Sequence, residues 1–563
     1  MASCCAATLL ALLLLSFLGL ALSDVPPSTP VSPSAACNAT TDPTFCRSVL
    51  PPRGKDDLYA YGRFSVAESL AGARKFAALV DRYLARHRHL SASAVGALRD
   101  CQLMAELNVD FLSSAGATIR GTDTLLEPQA DDVHTLLSAI LTNQQTCLDG
   151  LQAASGAWSA GGGGGLAEPT ANGTKLYSLS LSLFARAWVP TAKAPRSHKK
   201  EPHHGHGGKK RPAAARRGLF DVTDDEMVRR MVIEGPEQTV AVNSVVTVDQ
   251  NGDGNYTTVG DAVAAAPTNL DGSGGYHVIY VLAGVYEENV VVPKHSKYIM
   301  MIGDGIGQTV ITGNRSVVDG WTTFNSATFA VVGQGFVAMN MTFRNTAGPS
   351  KHQAVALRSG ADLSAFYGCS FEAYQDTLYT HSLRQFYRGC DVYGTVDYVF
   401  GNAAVVFQGC TFYSRLPMRG QSNTVTAQGR ISPDQNTGTS IQGCALVAAP
   451  ELAANAAAFA TLTYLGRPWK NYSRTVVMES YVGELVDPAG WMPWSGDFAL
   501  DTLFYAEYNN SGPGADTSRR VGWPGYHVLG DGTDAGNFTV TGMVLGDNWL
   551  PRTGVPFTSG LIS

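Results

Sequence analysis

Two aspartates and two glutamines recur at a spacing that would place them together in a repeating fold. Asp376 and Asp397 are 21 residues apart, and Gln353 and Gln375 are 22 residues apart. Two carboxylates held close together do not both ionise easily, so one is expected to keep its proton while the other is charged. Such a pair suits a reaction that needs a nucleophile or base and a proton donor, and two stacked amides would donate hydrogen bonds to an oxyanion.

The same four side chains allow other interpretations. Paired acids alone are typical of glycosidases, whereas the added amide donors favour acyl transfer. Stacked polar side chains also form purely structural ladders that satisfy the hydrogen bonds of turns. Spacing alone does not decide between a catalytic site and such a ladder.

A repeat in the second half of the chain explains the spacing. The pattern Gly-Cys-x-apolar occurs four times, and successive cysteines are 21, 20 and 34 residues apart: Cys369, Cys390, Cys410 and Cys444. A period near 21 predicts one coil of a parallel β-helix, and the interval of 34 predicts a coil with a long loop. Asp376 and Asp397 each follow a repeat cysteine by seven residues. They therefore occupy equivalent positions on successive coils, with backbones about 5 Å apart.

The periodicity and composition of the sequence divide the chain into an α-helical and a β part. The apolar run 6–22 and the small residues after it predict a signal peptide, although the absence of a preceding basic residue leaves a signal-anchor open. Helical periodicity follows, and after residue 245 short β-branched runs alternate with Gly, Asn and Asp. The expected segments are a signal peptide (1–23), a mobile Pro/Ser segment (24–34), a disulfide-stapled helical domain (35–186), a basic linker (187–233) and a β domain (234–563).

Charge is distributed unevenly between the halves. Residues 1–233 carry 24 Lys+Arg against 20 Asp+Glu, or +4, and residues 234–563 carry 17 against 27, or −10. An acidic β domain argues against nucleic acid as a partner and against strong bulk attraction to a polyanion. The basic tract 193–217 is interpreted as an exposed linker, with metal or polyanion binding as alternatives.

Five motifs, in order, resemble the signature of the pectinesterase family. They are GVYEE at 284–288, QAVAL at 353–357, QDTL at 375–378, DYVFG at 397–401 and LGRPW at 465–469. The resemblance covers the chain from about residue 244 to the C-terminus. It implies an all-β, right-handed parallel β-helix that is secreted to the cell wall, acts as a monomer and removes methyl groups from pectin without a metal or cofactor. The fourth motif departs from the family's DFIFG only conservatively.

The resemblance assigns a role to each matching residue. It implies that Asp397 is the nucleophile, that Asp376 is the general acid and then the base, and that Gln353 and Gln375 stabilise the oxyanion. Further residues expected to touch substrate or to orient the nucleophile are Arg467, Trp469 and, with a weaker match, Thr328. Without the motifs, Arg467 would be interpreted as half of a structural ion pair and Trp469 as a core aromatic. Trp491 and Trp494 could either line the cleft or pack in the core, and the sequence does not decide between these places.

The helical half resembles the pectinesterase-inhibitor domain, a four-helix bundle. This resemblance implies the disulfides Cys37–Cys46 and Cys101–Cys147 and a role in silencing the enzyme until export. In the β domain the family pattern implies a disulfide between Cys390 and Cys410, which leaves Cys369 and Cys444 free or paired elsewhere. A processing protease is expected to cut at Arg216-Arg217, with Arg229-Arg230 as the competing site.

Two further functions remain as alternatives. A pectin depolymerase on the same fold would use three or more clustered carboxylates or a Lys/Arg base, and the only Gly-His-Gly tripeptide lies in the linker. A non-catalytic wall-binding protein would need a broken site, whereas both aspartates and both glutamines are present.

Overall fold

A computed structural model describes residues 26–53, 55–85, 90–154, 164–189 and 240–562. The expected signal peptide, most of the basic linker and both candidate processing sites, Arg216-Arg217 and Arg229-Arg230, lie outside these residues. No helix within the described ranges is long and apolar enough to cross a membrane.

Six helices form the N-terminal domain over the part of the chain that the structure describes. They are α1 Pro33–Cys37, α2 Pro43–Val49, α3 Leu58–Leu84, α4 Ala92–Ile119, α5 Glu127–Ala153 and α6 Gly164–Trp188. Each of the first four begins at a Ser or Asp whose side chain accepts a backbone N–H of the first turn: Ser32, Asp42, Asp57 and Ser91. The four long helices pack their apolar faces into a common core that includes Val66, Leu112, Leu137, Ile140, Leu181 and Phe184.

Two disulfides staple this bundle. Cys37–Cys46 joins α1 to α2, and Cys101–Cys147 joins α4 to α5 with the Cα atoms 4.6 Å apart. Residues 26–34, expected to be mobile, begin the ordered domain instead. Val31 forms a β-bridge with Asp56, and its carbonyl accepts a hydrogen bond from the Tyr61 hydroxyl at 3.0 Å. These backbone contacts hold the Pro/Ser segment against α3.

The C-terminal domain is a parallel β-helix, as expected. Three sheets run along it, and every strand pair in them is parallel. The first sheet contains β1 Val242–Val248, β2 Tyr276–Val281, β5 Ile299–Gly303, β8 Val337–Met339, β11 Ser364–Tyr367, β14 Arg384–Arg388, β17 Ala404–Gln408, β20 Gly438–Gln442, β23 Arg474–Met478, β25 Phe504–Tyr508 and β26 Tyr526–Val528. The second contains β4 Val290–Val292, β7 Phe329–Val331, β10 Leu357–Ser359, β13 Leu378–Thr380, β16 Val399–Gly401, β19 Asn423–Gln428 and β22 Thr463–Gly466. The third contains β3 Gly284–Glu287, β6 Thr309–Gly313, β9 Thr342–Asn345, β12 Ser370–Glu372, β15 Asp391–Gly394, β18 Thr411–Ser414, β21 Ala445–Ala448 and β24 Tyr481–Val482.

Short helices pack on the outside of the β-helix. Its interior contains aromatic side chains that stack from coil to coil. The helices are α7 Val259–Ala265, α8 Pro450–Phe459, α9 Gly532–Gly536 and α10 Val540–Val544, with 3₁₀ turns at Pro349–Lys351, Gly546–Asn548 and Leu550–Thr553. Inside, Tyr387 stacks on Phe366 and Phe407 of the neighbouring coils, with ring centroids 4.7 and 4.6 Å apart. Because equivalent side chains repeat at the strand spacing, one aromatic position per coil produces a continuous apolar column.

The Gly-Cys repeat marks the turn between the first and third sheets. Its glycines, Gly368, Gly389, Gly409 and Gly443, have φ of 59°, 58°, 64° and 59°, in the left-handed region that a side chain disfavours. The strands that follow are in register, since Ser370 pairs with Asp391 and Asp391 with Thr411. The repeat therefore has the one-coil period that its spacing predicts.

The expected disulfide between Cys390 and Cys410 is wrong for this structure. All four repeat cysteines are free, buried thiols, and the Cys390 N–H donates to the Cys410 Sγ at 3.4 Å. In-register stacking keeps equivalent Cα–Cβ bonds parallel, so the Cβ atoms stay about 4.8 Å apart. A disulfide needs about 3.8 Å between Cβ atoms and a twisted approach.

Candidate active site

Asp376 and Asp397 lie at equivalent places on adjacent coils. Each comes two residues before a strand of the second sheet, and Leu378 of β13 pairs with Val399 of β16. Both aspartates have positive φ, 62° and 51°, and the two residues are only 7% and 6% exposed. Non-glycine residues persist in this strained region when the surrounding structure demands it, and such strain concentrates at functional sites.

Asp397 is held by a fork of hydrogen bonds. Arg467 donates through Nε to Oδ1 at 2.8 Å and through Nη2 to Oδ2 at 2.7 Å. Thr424, one coil further on, donates its hydroxyl to Oδ1 at 2.6 Å and accepts the Asp397 N–H at 2.8 Å. A bidentate guanidinium and a hydroxyl together define both the position and the rotation of this carboxylate.

Asp376 lies in a different electrostatic environment. Burial, and then the charge of Asp397, hold the pKa of its carboxyl well above the usual range, and Arg467 only partly offsets them. A carboxyl that favours its proton thus lies beside a carboxylate that pairs with a guanidinium. This is the division of roles that a proton donor and a nucleophile require.

The two glutamines lie on the same wall. Gln353 and Gln375 line a cavity of about 640 Å³ together with Asp376, Asp397 and Arg467. The Ala354 N–H donates to the Gln375 carbonyl at 3.3 Å, which shows that the glutamines are on adjacent coils. The structure therefore brings together all five residues expected to carry the chemistry.

Aromatic side chains surround this centre. Trp469 lines the cavity and meets Phe400 edge to face, with ring centroids 6.0 Å apart. Trp494 also lines it, and the Arg467 guanidinium lies 4.5 Å from the Trp494 ring centroid. Trp491, in contrast, is 1% exposed and stacks on Tyr505 in the core. Of the two tryptophans left open by the sequence, Trp494 therefore faces the cleft and Trp491 packs inside.

Thr328 does not join the site. It is fully buried, and its hydroxyl donates to the Arg344 carbonyl at 2.9 Å. Thr322 and Phe324 line the cavity instead. Thr424 was missed because it belongs to none of the five motifs and lies 27 residues after Asp397 rather than one 21-residue period after it.

Helices α4 and α5 cover the cleft. Asp100, Asp149 and Gly150 of these helices line the same cavity as Asp376 and Asp397. Asp100 is 3% exposed and accepts the Thr322 hydroxyl at 2.6 Å and the Asn325 amide. Burial raises the pKa of Asp100 to about 7.

Further contacts hold the two domains together outside the cleft. Arg384 donates to Asp131 and Asp132 at 2.9 and 2.7 Å, and Lys294 donates to Asp110 at 2.8 Å. Neutral pairs add to these, among them Thr146 with His381 at 2.9 Å, Asn402 with Thr142 at 2.8 Å and Gln435 with the Ser138 carbonyl at 2.8 Å. Within the described ranges, no group of three or more His, Cys, Asp or Glu side chains is arranged to hold a metal ion.

Comparison with known proteins matches both domains. The family model "Pectinesterase" matches residues 245–547, and "Plant invertase/pectin methylesterase inhibitor" matches residues 32–183. Two curated relatives from Arabidopsis thaliana are each 55% identical over 94% of this chain: probable pectinesterase/pectinesterase inhibitor 20, covered over 94% of its length, and probable pectinesterase/pectinesterase inhibitor 41, covered over 95%.

A solved structure matches the β-helix. Pectin methylesterase from carrot is 54% identical, with a TM-score of 0.55, and the match covers 58% of this chain and 100% of the carrot chain. The matched part of this chain has about the size of its β-helix. The solved carrot chain therefore corresponds to the β-helix without the helical domain.

Proposed function

Because the chain belongs to the pectinesterase family, and is a pectin methylesterase with an inhibitor-like domain, we propose that it works through an acyl-enzyme on Asp397. The observation that carries this mechanism is that the carboxylate of Asp397, bound by Arg467, lies beside the buried carboxyl of Asp376. In this mechanism Asp397 is the charged member and Asp376 keeps its proton, because Asp397 contacts a guanidinium and burial beside Asp397 raises the pKa of Asp376.

In the first step a carboxylate oxygen of Asp397 attacks the carbonyl carbon of a methylated galacturonate. The amides of Gln353 and Gln375 donate to the oxygen that becomes negative. As the tetrahedral intermediate collapses, Asp376 gives its proton to the departing methoxide, and methanol leaves. An anhydride between Asp397 and the sugar carboxyl remains.

In the second step water replaces methanol. Asp376, now a carboxylate, takes a proton from water as the water oxygen attacks the sugar carbonyl carbon. The anhydride breaks, the galacturonate acid is released, and both aspartates return to their starting protonation states. One ester and one water yield one acid and one methanol.

We also propose that the helical domain keeps the enzyme inactive. A polysaccharide must enter the cavity from its open side, and α4 and α5 lie there with two aspartates contacting the cleft wall. Export through a signal peptide at residues 1–23, with retention in the cell wall as a monomer, accords with the substrate. Cleavage at Arg216-Arg217, by a processing protease, would separate the bundle of residues 35–186 from the enzyme of residues 234–563.

A competition experiment tests the covalent step. The fragment 234–563 is supplied with methyl and ethyl esters of oligogalacturonate in the presence of hydroxylamine, which competes with water for an acyl-enzyme. A shared intermediate gives the same ratio of hydroxamate to acid from both esters, although the two alcohols are released at different rates. A ratio that changes with the leaving group contradicts the intermediate and supports direct attack by water.

The comparison of full chain and fragment tests the silencing. We expect the fragment to release methanol from highly methylated pectin and the full chain to release at least about tenfold less. Equal rates from both chains, with the linker shown to be intact by mass spectrometry, would contradict the proposed role of the helical domain.

A further inference from the structure

Lys470 follows Trp469 in the sequence and forms an ion pair with the helical domain. Its Nζ lies 3.0 and 2.9 Å from the two carboxylate oxygens of Asp149, on α5, and 5.1 Å from the Trp469 ring centroid. Among the residues that the structure describes, this is its one ion pair. The Lys470 side chain is only 20% exposed.

The carboxylate of Asp149 is placed where substrate must pass. Asp149 lines the cavity that also holds Asp376, Asp397 and Trp469. When α5 leaves, Lys470 loses its anion, and the part of its surface that α5 covers becomes open to substrate. An ammonium that lies beside an aromatic ring and has lost its anionic partner attracts an incoming carboxylate more strongly than a neutral group.

The opposite contact of the helical domain has no direct ion pair. Asp100 accepts hydrogen bonds from the hydroxyl of Thr322 and the amide of Asn325, which are neutral donors, and the buried guanidinium of Arg358 acts on it only through its charge. Of the two aspartate contacts in the cleft, only the one at Lys470 is therefore a hydrogen-bonded ion pair.

Pectin carries a negative charge only at those sugars that have lost their methyl group. A methylated galacturonate is neutral, and a galacturonate that has already been hydrolysed carries a carboxylate. Resting on the function proposed above, we propose that Lys470 binds the free carboxylate of a demethylated sugar near the reacting ester, at the position that Asp149 occupies in the full chain. Lys470 thus directs the enzyme to esters that neighbour earlier product.

This preference is local rather than a bulk attraction. The β domain carries 17 basic against 27 acidic residues in 234–563, so its net charge repels pectate at long range. A single ammonium beside an aromatic wall acts only on the carboxylate in contact with it. Added salt is expected to weaken this contact, because one partner is partly exposed.

Two variants of the fragment 234–563 isolate the contribution of Lys470. Lys470→Gln removes the charge and keeps most of the length, and Lys470→Arg keeps the charge. Lys294→Gln is the matched control, because Lys294 also pairs with the helical domain, but its partner Asp110 does not line the cavity as Asp149 does. The substrates are highly methylated pectin and the same pectin partly demethylated by alkali.

The first readout is the ratio of kcat/KM on the two pectins. Lys470→Gln should lower the preference for partly demethylated pectin about 5–10-fold, with Lys470→Arg and Lys294→Gln close to the parent. High salt should lower the parent's preference in the same direction. An unchanged ratio in Lys470→Gln, or an equal loss in Lys294→Gln, overturns the proposal.

The second readout needs no catalysis. The Kd of fully demethylated polygalacturonate should rise about 5–10-fold in Lys470→Gln and stay at the parent value in Lys294→Gln. A parent that binds polygalacturonate through Lys470 but releases no methanol contradicts the proposed function alone. A parent that releases methanol while binding is insensitive to Lys470 contradicts this inference alone.

Discussion

The cleft has a catalytic wall and a covering wall, and each wall presents two aspartates. On the catalytic wall Asp376 is buried with a raised pKa and Asp397 pairs with Arg467. On the covering wall Asp100 is buried with a raised pKa and Asp149 pairs with Lys470. The same side-chain type therefore occurs in the same two electrostatic states on both sides.

The two pairs of aspartates differ in the backbone elements that position them. The catalytic aspartates belong to adjacent coils of one hydrogen-bonded ladder, so their separation is set by the strand spacing. The covering aspartates belong to different helices, α4 and α5, and contact neutral donors or a lysine on the other domain. The proposed mechanism needs the rigid pair, whereas the proposed silencing needs a pair that departs with its domain.

The largest effect should come from the charged member of the catalytic pair. Asp397→Asn in the fragment 234–563 should lower kcat for methanol release at least about 1,000-fold, because an amide is a poor nucleophile. Asp391→Asn, in β15 outside the cavity, is the control and should keep most of the activity. Substantial turnover by a folded Asp397→Asn fragment would assign the nucleophile elsewhere.

Removing the hydroxyl that orients Asp397 should have the next largest effect. Thr424→Val keeps the side-chain shape and deletes the hydrogen bonds to Oδ1 and from the Asp397 N–H. We expect kcat to fall about 10–100-fold with little change in KM, because a hydrogen bond to a charged group is lost. Thr424→Ser should restore most of kcat; a Ser variant as slow as Val would show that packing, rather than the hydroxyl, matters.

The buried member of the covering pair should make inhibition depend on pH. Burial in the docked state raises the pKa of Asp100 to about 7, whereas an exposed Asp titrates near 4. The docked state therefore binds more protons between about pH 4 and 7, and docking weakens as pH rises through this window. Burial raises the pKa of Asp131 and Asp132 as well, which acts in the same direction.

The measurement is the activity of the full chain relative to the fragment at several pH values. The relative activity should rise several-fold from about pH 5 to about pH 7.5 in the parent and rise less in Asp100→Asn, which cannot ionise. An identical slope in Asp100→Asn would show that the other interface groups, and not Asp100, carry the dependence.

The smallest effect is expected at an exposed contact between the domains. Lys294 is 34% exposed on its side chain, and its partner Asp110 is 54% exposed. Lys294→Gln should change the relative activity of the full chain by less than about twofold, because exposed ion pairs contribute little. A larger change would mean that silencing depends on the rim of the interface as much as on the two aspartates in the cleft.

Much of the catalytic wall could be predicted from the sequence. The 21-residue period places Asp376 and Asp397 on neighbouring coils because strand stacking converts sequence distance into spatial distance. The motif residues Gln353, Gln375 and Arg467 line the same cavity as these two aspartates in the structure. Thr328 lies buried away from the cavity, and Cys390 and Cys410 are free thiols, because a motif or a period identifies the coil but not the direction or twist of one side chain.

The sequence by itself determined the family, the helical and β halves and the register of the coils, since each follows from local periodicity and short-range spacing. Only the tertiary structure decided which tryptophan faces the cleft, that Thr424 contacts Asp397 and that Asp149 pairs with Lys470. Those contacts join residues 27 to 321 positions apart. No local pattern encodes them, because they depend on how one folded domain docks against another and on how coils of unequal length stack.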